Sequence, residues 1–332
     1  MIHESRKKFL VIMPDLYDYQ RDICNTLEKR NYDVLVFSEQ PGLIFSLIIK
    51  RLSKILNTNL FYNIHNLILY FKISKKVKSC NYLLIIRGDI LNEKLILKIK
   101  KKILQEDGLS IYYTWDSFKF LNHKGSIGEL FEKVFTFDLS DAHFKKWSFL
   151  PLFYSLDYNK KLSMNKIEYD FCYVGSFSLK KYDFYLKFKN ENPSKRIYAK
   201  FFISKKFYYL RKLFDKNYKN IDCSILNFKK LSAKEIVNLY EKSLSILDIT
   251  TEGQSGLSMR SIESIGVCRK LVTNNEDIRK YDFFNNNNIY VISNDSSCNI
   301  SDDWLESKYT SSETIRNKYS IDTWVDELLR NP

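Results

Sequence analysis

The chain has 332 residues, 45 % of them apolar, and a formal net charge of +14. That length suits two domains with sizeable cores, and that apolar content excludes wholesale disorder. The positive excess points to an anionic partner or surface (nucleic acid, a phosphorylated small molecule or an acidic leaflet), although a composition rich in Lys, Asn, Ile and Tyr raises the charge by itself.

Met1–Lys8 is charged and runs into a strand-length apolar segment, so no secretory leader is expected. Lys8–Tyr19, KFLVIMPDLYDY, opens as a buried strand, and an amphipathic helix follows to about Arg30. Tyr32–Gln40 and Tyr82–Leu91 are the next strands. Between them, Phe45–Lys78 alternates apolar and basic residues at helical spacing. It suits an interfacial segment on an anionic membrane, or a helical pair packed on the sheet with its lysines outward. No apolar run approaches the roughly 20 residues a membrane helix needs. Asn92–Gln105 is a basic helix, followed by strands at Leu109–Phe118, Lys133–Asp141 and Trp147–Tyr154.

A linker is expected at Phe153–Glu168, after which the pattern restarts. Tyr169–Ser178 is a strand ending in Gly175-Ser176, and Arg196–Ser204 is another. Asn220–Gly253 gives strand, loop, helix, strand, with Ser232 and Glu235 spaced as a capping box. Lys270–Asn275 and Asn288–Ser293 are strands, and a terminal helix closes the chain. Alternating strands and helices predict parallel α/β sheets in two Rossmann-like domains, 1–155 and 168–305, with a helix in 306–332 that returns to the first domain. Ligands of such sheets bind at the carboxyl ends of strands, where Asp15, Asp89, Asp116 and Asp138 lie. The cysteines show no CxxC and the four histidines are dispersed, so reduced thiols are expected and a metal site is not.

Chemistry concentrates in Thr250–Asn275, TTEGQSGLSMRSIESIGVCRKLVTNN, which holds Gly253 and Gly256, two of only nine glycines. Glycines ahead of a helix let a phosphate approach the unpaired amides of its first turn, here those of Ser255–Ser258. Arg260 adds a bidentate grip, and Glu263, on the same face, suits ribose or sugar hydroxyls. Lys270 is a second cation, and Gly175-Ser176 a second phosphate contact. A glycine-capped turn with an internal Arg–Glu pair fits the same residues.

The stretch Leu244–Asn275 resembles a pattern in GT-B-type glycosyltransferases of bacterial O-antigen and capsule clusters. The matching pieces are Leu247-Asp248-Ile249, Gln254-Ser255-Gly256-Leu257, Arg260, Glu263, Arg269-Lys270 and Leu271-Val272-Thr273. IIRGD (Ile85–Asp89), YTWDS (Tyr113–Ser117), FTFDLSDA (Phe135–Ala142), FLPLFY (Phe149–Tyr154) and YDFCYVGS (Tyr169–Ser176) are similar too, in the same order. The resemblance implies two Rossmann-like domains facing across a cleft, an N-terminal acceptor domain and a C-terminal domain for the nucleotide-sugar donor. It implies metal-independent transfer without a cofactor, to a lipid-linked oligosaccharide, by a cytoplasmic enzyme peripheral to the inner face of the membrane. Donor phosphates would then meet Gly175, Ser176, Gln254, Ser255, Gly256, Leu257, Ser258, Arg260, Glu263 and Lys270.

Asp116 is the favoured base, with Asp15 and Asp89 as alternatives, because Trp115 and Tyr113 set an aromatic wall beside it that raises a carboxylate pKa. Each aspartate equally suits a helix cap or turn. Arg87 and Trp115 are the acceptor contacts expected, unless Arg87 pairs with Asp89. A polyol-phosphate transferase would use the same site. A nucleic-acid partner is not expected, because the basic residues are spread out and form no recognisable binding motif.

Overall fold

The structure, a computed structural model, describes residues 6–15, 18–41, 58–121, 126–250, 255–293 and 297–330. The chain divides into two compact units, Met1–Pro151 with Trp324–Pro332, and Leu152–Thr323.

Unit 1 carries β1 (Lys8–Met13), α1 (Tyr19–Lys29), β2 (Asp33–Ser38), α2 (Thr58–Lys76), β3 (Cys80–Ile86), α3 (Glu93–Lys102), β4 (Leu104–Thr114), β5 (Lys133–Thr136), α4 (Leu139–Lys145) and β6 (Ser148–Phe149). The strands form one parallel sheet in the order β2-β1-β3-β4-β5-β6. Such a sheet has helices over its faces, which is why Phe9–Met13 is an unbroken run of fully buried side chains. Leu10, Ile12, Leu83, Ile85 and Tyr112 share one core with Leu95, Ile96 and Ile99 of α3. α1 stops at Asn31, whose left-handed φ of 65° closes the helix. The strand expected over Lys133–Asp141 ends at Thr136, because the Asp138 carboxylate accepts from the Ser140 amide at 2.9 Å and starts α4.

Unit 2 carries β7 (Tyr169–Ser176), α5 (Leu179–Glu191), β8 (Ile197–Phe202), α6 (Lys205–Phe214), β9 (Leu226–Asn227), α7 (Ala233–Glu241), β10 (Ser243–Asp248), α8 (Met259–Val267), β11 (Lys270–Thr273), β12 (Ile289–Val291), α9 (Asp302–Glu306) and α10 (Glu313–Lys318). Its sheet is parallel in the order β12-β11-β10-β7-β8-β9. Ser232 and Glu235 form the expected capping box of α7. The stretch expected as a linker is packed instead: Phe153, Tyr154 and Tyr158 are buried, and the Leu162 amide bonds to the Val267 carbonyl. The terminal helix is broken in two. Tyr319 and Ser320 interrupt it, where the Tyr154 amide bonds to the Tyr319 carbonyl at 3.0 Å. α11 (Ile321–Leu329) follows and carries the chain back into unit 1. There Trp324 packs edge-on against Tyr113, with ring centroids 4.9 Å apart.

In each sheet the chain moves out from a central strand and later resumes on its other side. The switch falls between β1 and β3 in unit 1 and between β7 and β10 in unit 2. Neighbouring crossovers leave opposite faces at such a point, so the carboxyl edge opens there. Among the described residues no helix is long and apolar enough to cross a membrane.

Candidate active site

In unit 2, the edge between β7 and β10 is built around Asp248. Its carboxylate is fully buried and takes Arg260 Nε at 3.0 Å on one oxygen and Ser261 Oγ at 2.8 Å on the other. Both donors lie in the first turn of α8, so β10 fixes where that helix begins. Ser258 caps it. Arg260 also donates to the Val174 carbonyl at 3.0 Å and lies over the Tyr173 ring. Burial is the largest influence and opposes its charge, but Asp248, together with Tyr173, Tyr240 and Glu263, outweighs it and holds the guanidinium above its usual pKa. A Cβ on Gly175 would lie 2.5 Å from the Tyr173 hydroxyl and 3.1 Å from Arg260 Nη1, so a side chain here would have to displace one of them.

Lys181, in the first turn of α5, completes the group. Burial first, and then repulsion from Arg260, lower its pKa to about 8. Among the described residues, the buried Asp248 carboxylate therefore faces two cations beside the start of α8, whose amides carry partial positive charge. The Tyr173 hydroxyl, buried against Arg260, has no hydrogen-bond partner among the described residues. At the end of β11, Asn274 accepts from the Thr250 amide at 2.8 Å and Asn275 donates to the Gly256 carbonyl at 3.3 Å, pinning both flanks of the glycine loop. Gln254 itself, with Glu252 and Gly253, lies outside the described residues.

The structure thus brings Gly175, Ser176, Ser255, Gly256, Leu257, Ser258 and Arg260 to one edge. Leu257 is buried there. Glu263 is buried one turn further along α8 and accepts from the Tyr240 hydroxyl of α7 at 3.0 Å. Lys270 is not brought to this edge. It opens β11 at the opposite end of the strand, where its amine donates to Trp304 and Ser307 and lies over the Trp304 ring.

In unit 1, Arg87 and Gly88 follow β3 with φ of 68° and 64°. A left-handed non-glycine residue is strained. The Arg87 amide bonds to the Tyr113 carbonyl, and the Tyr112 hydroxyl donates to the Arg87 carbonyl, each at 2.9 Å. The turn sends the guanidinium between two carboxylates. Nε lies 2.8 Å from Asp116 Oδ2, angled away from a hydrogen bond, and Nη2 lies 3.6 Å from Asp89 Oδ2. Asp116 is 42 % exposed, and burial raises its pKa more than Arg87 lowers it. Trp115 packs between Tyr19 and Tyr113. Asp15, two residues past β1, is exposed.

Glu39, at the end of β2, belongs with them. It is 2 % exposed, its Oε2 has no hydrogen-bond partner among the described residues, and burial lifts its pKa to about 8 against the pull of Arg87. The ring of His65 meets its carbonyl at 2.8 Å. The sequence offered one sign of Glu39, a carboxylate directly after a strand. Lys181 had the same kind of sign, five residues past Ser176 in a new helix.

No family model matches the sequence, and no curated protein matches it. Solved structures do resemble it. A glycosyltransferase from Rickettsia africae has a TM-score of 0.59 at 14 % identity, over 98 % of this chain and 100 % of that one. HepE from Anabaena, in complex with UDP and glucose, has a TM-score of 0.61 at 10 % identity, over 98 % and 99 %. The fold is GT-B. The N-terminal domain of a Candida albicans trehalose-6-phosphate phosphatase shares it, with a TM-score of 0.51 at 11 % identity over 97 % and 92 %. The GT-B likeness therefore fixes architecture, and the reaction must be argued from the two polar edges.

Proposed function

We propose that the chain is a glycosyltransferase that moves a sugar from a nucleotide-sugar donor to a lipid-linked glycan, in the assembly of surface polysaccharide on the cytoplasmic side of a membrane. The observation that carries this reading is the charge in unit 2, where, among the described residues, Lys181 and Arg260 both stand by the buried Asp248 carboxylate at the start of α8. A diphosphate supplies further negative charge. Lys181, the amides of Ser255–Ser258 and the Ser176 hydroxyl bind it, and Arg260, held by Asp248, presents the charge behind them. HepE, similar in fold, was solved with UDP and glucose, which favours a nucleotide sugar as donor.

In the transfer, the acceptor hydroxyl oxygen bonds to the anomeric carbon as the bond to the diphosphate oxygen breaks. The nucleoside diphosphate leaves with the electron pair, stabilised by Lys181 and the helix amides, which is the basis for metal-independent transfer. Asp116 takes the hydroxyl proton, and burial, by raising its pKa, makes it a stronger base than an ordinary carboxylate. Arg87 orients it, and Asp89 and Glu39 set the charge around that arginine.

The lipid-linked acceptor draws support from α2. Leu60, Ile64, Leu67, Ile68 and Phe71 leave a stripe of that helix exposed, with Lys75 and Lys76 in its last turn. That stripe suits contact with an acidic leaflet, in line with one reading of Phe45–Lys78; residues 45–57 lie outside the described residues.

The test is turnover with a panel of nucleotide sugars and a lipid-linked acceptor, for the natural chain and Asp116→Asn. Transfer reduced about 10²–10⁴-fold with donor affinity retained supports the reading. Failure of UDP, GDP and CMP alike to raise the melting temperature would sink it.

A further inference from the structure

α6 is held to unit 2 by one buried side chain, Tyr208, whose hydroxyl meets Cys223 Sγ at 3.1 Å. At about 100° per residue, Phe207, Leu210, Leu213 and Phe214 fall within an arc of about 120° on the side opposite Tyr208. All four are exposed, Leu213 by 74 % and Phe214 by 82 %. Tyr209 stacks on Phe228, also exposed, at 6.2 Å and widens the patch.

Cations crowd this stripe. Lys205 to Lys230 contains eight lysines and arginines against two carboxylates. Those two, Asp215 and Asp222, accept from the Asn217 and Ser224 amides in local turns. Arg211 lies over the Phe207 ring at 5.2 Å and Lys212 over Tyr208 at 5.7 Å, so charge borders the apolar face directly.

We infer that α6 is an interfacial helix that docks unit 2 on an anionic phospholipid surface, with Leu210, Leu213 and Phe214 entering the acyl boundary and the flanking cations meeting headgroup phosphates. A second copy of the chain would set one cationic patch against another. Nucleic acid would neutralise the charge but leave the leucines in water. The inference deepens the proposed function, which already sets the enzyme at an acidic leaflet, by giving unit 2 an anchor independent of α2.

The full chain is sedimented with vesicles of phosphatidylglycerol and of phosphatidylcholine, beside Leu213→Ser/Phe214→Ser and Lys205→Gln/Lys206→Gln/Arg211→Gln variants. The natural chain is expected to pellet with phosphatidylglycerol alone, and each variant to bind about tenfold less with circular dichroism and melting temperature unchanged. A variant that pellets like the natural chain overturns the inference. So does loss of a dimer in sedimentation velocity, or polyglutamate binding that the serine variant abolishes. Leu67→Ser/Phe71→Ser separates the readings: if only this α2 variant weakens vesicle binding, the α6 inference falls and the proposed membrane contact stands. UDP affinity, measured on every variant, reports separately on donor binding.

Discussion

Arg260 Nε lies 3.0 Å from Oδ1 of Asp248, a carboxylate with no exposure to solvent. The pair joins the end of β10 to the first turn of α8, so it fixes the position of every amide in that turn. Asp248→Asn leaves the guanidinium buried without its counter-charge. We expect a loss of about 3–5 kcal/mol in urea denaturation, together with loss of nucleotide binding. A loss well under about 1 kcal/mol would show the pair to be dispensable.

Lys181→Met tests the second cation beside Asp248. Its side chain is only partly buried, so the melting temperature should barely move. UDP affinity should fall about tenfold or more, since a hydrogen bond to a charged group contributes about 1.5–3 kcal/mol. The pH dependence is a second readout. The free amine has a pKa of about 8, and a bound diphosphate raises it. Binding therefore takes up a proton above that pH, and affinity should be constant below about pH 8 and decline above it. Titration calorimetry should find that decline absent in the methionine variant.

Glu39 gives a pH effect of the same sign, on stability. Its folded pKa of about 8 stands above an ordinary value of 4.5, so between these the folded chain holds a proton that the unfolded chain has lost. That contribution to stability is complete below about 4.5 and is lost as pH rises to about 8. Glu39→Gln cannot ionise. Its stability relative to the natural chain should rise across the window, and chemical denaturation at several pH values will show whether it does.

Gly175→Ala places a methyl group where Tyr173 and Arg260 already sit. Either neighbour must shift, at about 1–3 kcal/mol. Because Arg260 is one of them, UDP affinity should fall as well. An alanine variant as stable as the natural chain and equal in UDP affinity would mean that the two side chains move aside freely.

Much of the fold is legible in the sequence because burial writes itself as apolar runs. β1, β7 and β10 show this, and the Ser232–Glu235 box announces α7 by its spacing. Errors fall where one residue reverses a local pattern. Asp138 turns the end of an apparent strand into a helix cap, and Tyr319-Ser320 interrupts an apparently continuous terminal helix to pair with Tyr154. In the candidate site, Arg87, Asp89 and Asp116 were legible because strand ends gather at one edge of a parallel sheet. Glu39 and Lys181 were not, because each is defined by the charge opposite it, which comes from a distant part of the chain. Lys270 misled for the same reason: nearness to Arg260 in sequence is undone by the length of α8, which sets the two at opposite ends of the sheet.

The closing turns of α11 make the first unit discontinuous. Trp324, Val325 and Leu328 are interior side chains, yet they are translated after the whole of the second unit. On the ribosome the leading Rossmann-like half must wait, its Tyr113 face uncovered, while the trailing half is made and able to fold. A fragment ending at Pro151 should therefore aggregate, whereas residues 152–323 lack none of their own core.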